Sequence, residues 1–177
     1  MKNIDDLVNQ SLNFYKKKNF NDAIKILESI DVKNDYRKYL LLGTIYTSLN
    51  KIDLAEKNLV LADKINSNNP SILHNLGTLM SIKGNISSAK NFYLKAININ
   101  KNIDSMCEMG RLLEDEKNFI EAQKYFEMAL EQDKNHRITN LRIGNMYLKM
   151  NEYKKGLMHI KQATGFIRFS DEGFEVI

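Results

Sequence analysis

Apolar residues recur at spacings of three and four through most of this chain, as in Tyr39, Leu42, Tyr46 and Leu49, or Ile86, Ala89, Tyr93 and Ala96. That spacing predicts helices with one apolar face. The helices come in pairs, because a short polar break interrupts each cycle at Lys18-Asn19, Asn50-Lys51, Gly84-Asn85, Lys117-Asn118 and Asn151-Glu152. Longer breaks such as Asn66-Ser67-Asn68-Asn69 separate one pair from the next. Pro70 fits the first turn of the helix that follows, with Asn69 as its N-cap. Connections this short force the two helices of a pair antiparallel.

The pairs are copies of one another. Gly43, Gly77, Gly110 and Gly144 recur at spacings of 34, 33 and 34 residues. Twelve residues after each comes a small residue (Ala55, Ala89, Ala122, Gly156), and seven further on another (Ala62, Ala96, Ala129, Ala163). Between those two sits a large apolar residue: Leu59, Tyr93, Phe126, Ile160. Placing the glycine at position 8 aligns five repeats, 4–35, 36–69, 70–102, 103–136 and 137–170. The first has Ser11 where the others have glycine. A period of this length marks an array of supersecondary units, not one globular core. Helices approach to about 8–10 Å depending on the side chains at the contact. The small residues at positions 8, 20 and 27 are therefore expected at crossings, 8 facing 20 within a pair and 27 facing the next pair.

These residues resemble the tetratricopeptide repeat. Leu42-Gly43, Leu76-Gly77, Met109-Gly110 and Ile143-Gly144 match its Leu-Gly at positions 7–8, Tyr46 and Tyr147 its tyrosine at 11, and Phe126 its phenylalanine at 24. The resemblance covers about residues 4–170. The position-4 tryptophan and the position-32 proline are missing, and the first repeat is degenerate, as a solvent-facing end repeat would be. The resemblance implies an all-α fold, a right-handed α-solenoid of five antiparallel helix pairs. Residues 1–170 would form a single array, followed by a short non-repeat tail that begins near 164 and ends in 171–177.

The resemblance also implies that the first helix of each pair lines a groove, through positions 2, 5, 6, 9, 12 and 13. Those positions hold Arg37, Thr44, His74, Asn75, Thr78, Cys107, Glu108, Arg111, Glu114, Arg142 and Asn145, a polar surface of mixed charge. One branch of the family grips a chaperone's C-terminal carboxylate with Lys, Asn and Arg at set positions of three repeats. No frame fits here: one starting at repeat one offers Val8, Leu12, Leu41, Ser71 and Asn75, and one starting at repeat two offers Leu40, Thr44, Asn75, Asp104 and Glu108. Asn75 reads either as a solvated amide or as a side chain able to pair with a peptide backbone. Glu108 and Arg142 share position 6 of adjacent repeats, with Arg111 one turn along. They read as an ion pair between repeats or as charged anchors for a ligand. His74 and Cys107 share position 5, but their neighbours Leu40 and Leu141 cannot complete a zinc site.

Charge and composition exclude several classes. The net charge is +4, and its sign alternates along the array. Residues 70–102 carry four lysines and no acid, whereas residues 103–136 carry nine acids against four bases. A nucleic-acid binder would show one basic stripe interleaved with aromatics, so none is expected as a partner. No run approaches the ~20 apolar residues of a membrane span. The start (MKNIDDLVNQ) is not a signal peptide. The single cysteine permits no intrachain disulfide, which fits a reducing compartment. A cytoplasmic location is the expectation. Abundant Asn, Lys and Ile read as genome base composition, not as function. No phosphate loop, His-Glu-x-x-His motif or nucleophile constellation is present, and His136 and His159 have no sequence neighbours that suggest a relay. No catalytic residue, cofactor or metal is expected.

Residues 164–177 depart from the repeat. Gly165 and Gly173 break the helix, and Phe166, Ile167, Phe169, Phe174, Val176 and Ile177 favour a short strand or hairpin. The tail is expected to cap the last apolar face, to begin another domain, or to pair with a partner or a second copy, with Phe166, Phe169 and Phe174 as contacts. The chain reads as a non-enzymatic module that holds a peptide segment of a partner protein in its groove. The alternative is an accessory domain of a larger enzyme system, of sulfotransferase or oxygenase type, docking through the tail.

Overall fold

The computed structural model describes residues 3–31, 34–165, 167–170 and 173–176, the last two stretches through their backbone. Among them the chain forms ten helices and two strands. The helices are α1 (Ile4–Lys16), α2 (Phe20–Glu28), α3 (Tyr36–Ser48), α4 (Ile52–Ile65), α5 (Pro70–Ile82), α6 (Ile86–Asn100), α7 (Ile103–Asp115), α8 (Phe119–Gln132), α9 (Arg137–Lys149) and α10 (Tyr153–Thr164). They follow the five repeats read from the sequence, and α1 packs on α2, α3 on α4, α7 on α8 and α9 on α10. The chain divides into two compact halves, Met1–Phe92 and Tyr93–Ile177, and the division falls inside α6.

Every turn within a repeat has one construction. Lys18, Asn50, Gly84, Lys117 and Asn151 each adopt a left-handed conformation, with φ of 59°, 55°, 77°, 61° and 61°. The amide of the following residue reaches back five residues, as in Asn19 N to Phe14 O at 2.9 Å and Asn118 N to Leu113 O at 2.9 Å. The left-handed residue itself reaches back three, as in Lys117 N to Glu114 O at 2.8 Å. This pair of bonds satisfies carbonyls that the helix end would otherwise leave open. Only one of the five positions is glycine, so four side chains tolerate a conformation that costs a non-glycine residue about 1–2 kcal/mol.

Asparagine has defined work in this scaffold. Asn3, Asn69, Asn102 and Asn118 cap α1, α5, α7 and α8 with their side-chain oxygens, and Asp35 does the same for α3. Asn50, Asn68 and Asn151 take positive φ, which asparagine does more readily than most residues. Base composition is therefore an incomplete account of their abundance.

Close approach inside each pair sets the packing. A Cβ added at Gly43 would lie 2.6 Å from the Cγ of Leu59, and one at Gly110 would lie 2.7 Å from the Phe126 ring. In the second and fourth repeats the atoms nearest to position 8 thus belong to the large residue at 24, whereas sequence spacing pointed to the small one at 20. Position 20 meets position 8 at the two ends of the array. At Gly144 a Cβ would lie 2.8 Å from Ile160 and 3.0 Å from the carbonyl of Gly156. In the first repeat Ser11 is fully buried, and its hydroxyl donates to the Ala23 carbonyl at 2.8 Å. Leu59, Phe126, Tyr93 and Ala55, Ala62, Ala89, Ala122 and Ala129 are all buried completely. Ala62 shares its cluster with Ile72 and Leu76 of the next repeat.

Helix α10 ends at Thr164 because Gly165 turns left-handed, with φ of 85°. Residues 167–170, which fall within the fifth repeat as numbered above, form a strand instead of continuing the helix. There β1 (Ile167–Ser170) pairs antiparallel with β2 (Gly173–Val176), matching Ile167 with Val176, Arg168 with Glu175 and Phe169 with Phe174. The hairpin lies beside α10. Phe166 lies outside the described residues, and Phe169 and Phe174 are described only through their backbone.

Two glycine substitutions separate packing from conformation. Gly43→Ala gains roughly 1 kcal/mol of helix propensity but drives Leu59 out of place, and a net loss of about 1–3 kcal/mol is expected. Gly84→Ala meets no atom within 4 Å, so its expected loss of about 1–2 kcal/mol is purely conformational. Urea unfolding of both variants checks this. Combined with Leu59→Ala, Gly43→Ala should cost less than the sum of the two single losses, whereas Gly84→Ala should add in full.

Candidate functional site

In the N-terminal half, α1, α3 and α5 present one face side by side. Val8, Leu12 and Tyr15 on α1, Arg37, Leu40, Leu41 and Thr44 on α3, and Asn75 on α5 line a cleft of about 280 Å³. The spacing of three and four places each set on one side of its helix. The walls are mostly apolar. Sequence reading placed Arg37, Thr44 and Asn75 here, and the structure brings all three together. It passed over Val8, Leu12, Tyr15 and Leu40, whose signal was present. Val8, Leu12 and Leu40 fall at the first-helix positions where a carboxylate clamp was sought, and there they counted only as missing clamp residues.

Arg37, Thr44 and Asn75 on this cleft already have partners. Arg37 forms a two-pronged pair with Asp35, Nε to Oδ1 at 3.0 Å and Nη2 to Oδ2 at 2.6 Å, while Nη1 reaches Asp5 at 2.7 Å. One guanidinium between two carboxylates leaves the rim with one net negative charge. Hydrogen bonding from Arg37 holds the Asp35 carboxyl below its ordinary range, against the opposing effect of burial. The Thr44 hydroxyl lies 2.8 Å from the Leu40 carbonyl and 3.0 Å from Asn75 Oδ1. Asn75 Nδ2 donates to the Ser71 carbonyl at 2.8 Å. That leaves Asn75 one free N–H and one open lone pair. His74 and Thr78 are half-buried on the same helix, Thr78 Oγ1 donating to the His74 carbonyl at 3.2 Å.

In the C-terminal half, Glu108 joins α7 to α9. Its Oε2 accepts from Arg111 Nε at 2.7 Å and its Oε1 from Arg142 Nη2 at 3.0 Å. Arg111 also reaches Asp115 at 2.8 Å, and Glu114 pairs with Lys149 at 2.7 Å. Burial works against the Arg111 charge, and the Glu108 bond overrides it. Arg142 Nε is buried without a hydrogen-bond partner, and Asn145 is exposed. The ion-pair reading of Glu108 and Arg142 is the one the geometry supports. Cys107 is buried rather than groove-facing, and burial pushes its thiol up.

Both remaining histidines have partners that sequence adjacency did not suggest. His136 Nδ1 lies 2.7 Å from Thr139 Oγ1, and its Nε2 lies 3.5 Å from Asp104. Acid, imidazole and hydroxyl thus line up, but Thr139 is fully buried, so no substrate reaches its hydroxyl. His159 Nδ1 lies 3.0 Å from Asn140 Oδ1. Among the described residues no three His, Cys, Asp or Glu side chains converge as metal ligands. No helix among them is long and apolar enough to cross a membrane.

The tetratricopeptide repeat profile matches residues 36–69, 70–103 and 103–136. The anaphase-promoting complex subunit CDC16 of Saccharomyces cerevisiae is 29% identical over 133 residues, which are 70% of this chain and 16% of that subunit. The chain therefore spans about one sixth of the length of this curated relative. Among solved structures, the fold resembles PilF of Pseudomonas aeruginosa, with a TM-score of 0.77 and 18% identity over 91% of this chain and 75% of the other. The APC/C Cut9–Hcn1 hetero-tetramer gives 0.79 and 18% over 90% and 32%. MamA gives 0.66 and 16% over 92% and 94%.

The Asp35–Arg37 pair predicts a pH dependence. Asp35 is held below its unfolded value near 4, so its contribution is complete above about pH 4 and is lost as pH falls through the folded value. Asp35→Asn keeps the cap and removes the charge. It should cost roughly 1 kcal/mol at neutral pH and flatten the acid limb of stability against pH, as read by urea unfolding.

Proposed function

Because this chain belongs to the tetratricopeptide repeat family, whose members mediate protein–protein interaction and scaffolding, we propose that it is a non-enzymatic scaffold module that holds a segment of a partner protein against its inner helices. The observation that carries this reading is the apolar cleft over Val8, Leu12 and Leu40, lined as well by the hydrogen-bonded Thr44–Asn75 pair. An apolar side chain seated there sheds water from its surface and from the cleft walls at once. Such burial stabilises by about 25 cal/mol per Å². The remaining N–H and lone pair of Asn75 suit one peptide unit of the bound segment. His74 and Thr78 extend the candidate surface along α5, and in the C-terminal half Arg111, Arg142 and Asn145 make a separate candidate surface, with the two arginines engaged by Glu108.

Catalysis is not part of this proposal: the acid–imidazole–hydroxyl alignment of Asp104, His136 and Thr139 ends on a buried hydroxyl. The reading as an accessory domain of a sulfotransferase- or oxygenase-type system gains no support from the relatives. Assembly with a second copy through residues 164–177 stays a separate proposal, as does a cytoplasmic location.

A photo-crosslinking amino acid placed at Leu40, and in parallel at Lys57 on α4, tests the surface in lysate of the native cell. A discrete adduct is expected from position 40, absent from position 57, and lost when Val8→Asp fills the cleft with charge. Adducts from position 57 alone would overturn the proposal. Loss of the adduct on removing residues after Thr164, with the cleft intact, would move the binding element to the tail.

A further inference from the structure

The C-terminal half holds a second cleft, of about 310 Å³, lined by Leu130, Lys134, Asn140, Met158, His159 and Gln162. It lies among α8, α9, α10 and the α8–α9 connection. Its chemistry follows from one buried amide. Asn140 is 1% exposed, and its Nδ2 donates to the carbonyls of Lys134 at 2.9 Å and His136 at 3.2 Å. Both amide hydrogens are spent on the backbone, so the atom facing His159 is the oxygen. An amide oxygen only accepts, so His159 Nδ1 carries the proton. In the neutral ring Nε2 is then an acceptor, and among the described residues it has no partner. The tautomer is fixed by hydrogen-bond logic alone.

We propose that this cleft binds a flat aromatic group bearing an N–H donor, of indole type. The ring packs against Leu130 and Met158, and its N–H donates to His159 Nε2. The cleft volume sits at the small end of ligand pockets, which suits one bicyclic ring. Met158 is 61% exposed, a large apolar side chain open to solvent, and thioethers pair well with aromatic rings. Tyr147 stacks on His159 with centroids 5.7 Å apart and holds the imidazole plane.

The same geometry makes binding fail in acid. Protonation turns Nε2 from acceptor to donor, and an indole N–H cannot accept. The charged groups around His159 are Lys134 in the cleft, Lys155 stacked on Tyr147 at 5.2 Å, and Glu127. Burial holds the imidazole below its ordinary value, with Glu127 opposing. The ring is therefore neutral at physiological pH.

The test titrates nitrogen-labelled full-length protein with indole, N-methylindole and a blocked Gly-Trp-Gly tripeptide, following the His159 ring nitrogens in long-range proton–nitrogen spectra. Indole should move the Nε2 resonance and bind about fivefold more tightly than N-methylindole, which lacks only the donor. Met158→Ala, an exposed change that leaves the fold intact, should weaken indole severalfold. A tripeptide that matches indole assigns the site to a partner's side chain, and a weaker one assigns it to a free small molecule. Equal affinity for indole and N-methylindole, or a His159 signal that indole does not move, overturns the proposal.

Discussion

Everything in this chain hangs on the approach of two helices at position 8. A methyl group added at Gly43 or Gly110 would sit inside Leu59 or Phe126. The glycine and the large residue at 24 are therefore one feature, a socket and its plug. The socket fixes how α3 rolls against α4. Once Gly43 faces Leu59, Arg37, Leu40 and Thr44 fall together on the adjoining side of the first helix, about 60–120° round from the glycine by the same 3.6-residue arithmetic. The cleft is a consequence of the crossing and needs no separate device to position it. Glycine in a helix interior costs about 1 kcal/mol against alanine, and fully buried Leu59 and Phe126 offset it.

The second constraint is the turn. Each helix pair closes through a single left-handed residue with two backbone hydrogen bonds, so its geometry does not depend on the side chain. That is why Lys18, Asn50, Gly84, Lys117 and Asn151 serve equally. It also explains why the repeat was legible with few glycines and one proline: the polar breaks mark the turns even where the residue itself is an unfavourable choice for positive φ. The helix pairs, their order and most of their packing positions were readable because they follow from period and size. The asparagines were under-read, because capping and positive φ are properties of a residue's place at a helix end, and composition averages that place away.

The candidate site was only half legible. Arg37, Thr44 and Asn75 could be placed from the repeat, but their partners could not. Arg37 meets Asp5 thirty-two residues upstream, Asn140 meets His159 on the next helix, and Asp104 meets His136 across α7 and the start of α9. Such pairs depend on how far a side chain reaches between helices, a quantity that repeat position does not encode. The same limit displaced Cys107, which position 5 assigned to the surface and which the structure buries. Val8, Leu12 and Leu40 were missed for a different reason: with the search set for charge, apolar residues on the inner face registered only as gaps.

Charge pairing decides what kind of contact can carry affinity here. Arg37 is engaged by two carboxylates, Arg111 by Glu108 and Asp115, and Arg142 by Glu108. A ligand carboxylate arriving at any of them exchanges one partly exposed ion pair for another, each worth at most about 1 kcal/mol, and gains little. Apolar surface on the inner face has no such internal competitor. A side chain that fills the space over Val8, Leu12 and Leu40 displaces only water. In the proposed binding mode Arg37 would set orientation, as charges at interfaces commonly do, while the apolar cleft would supply the free energy of binding.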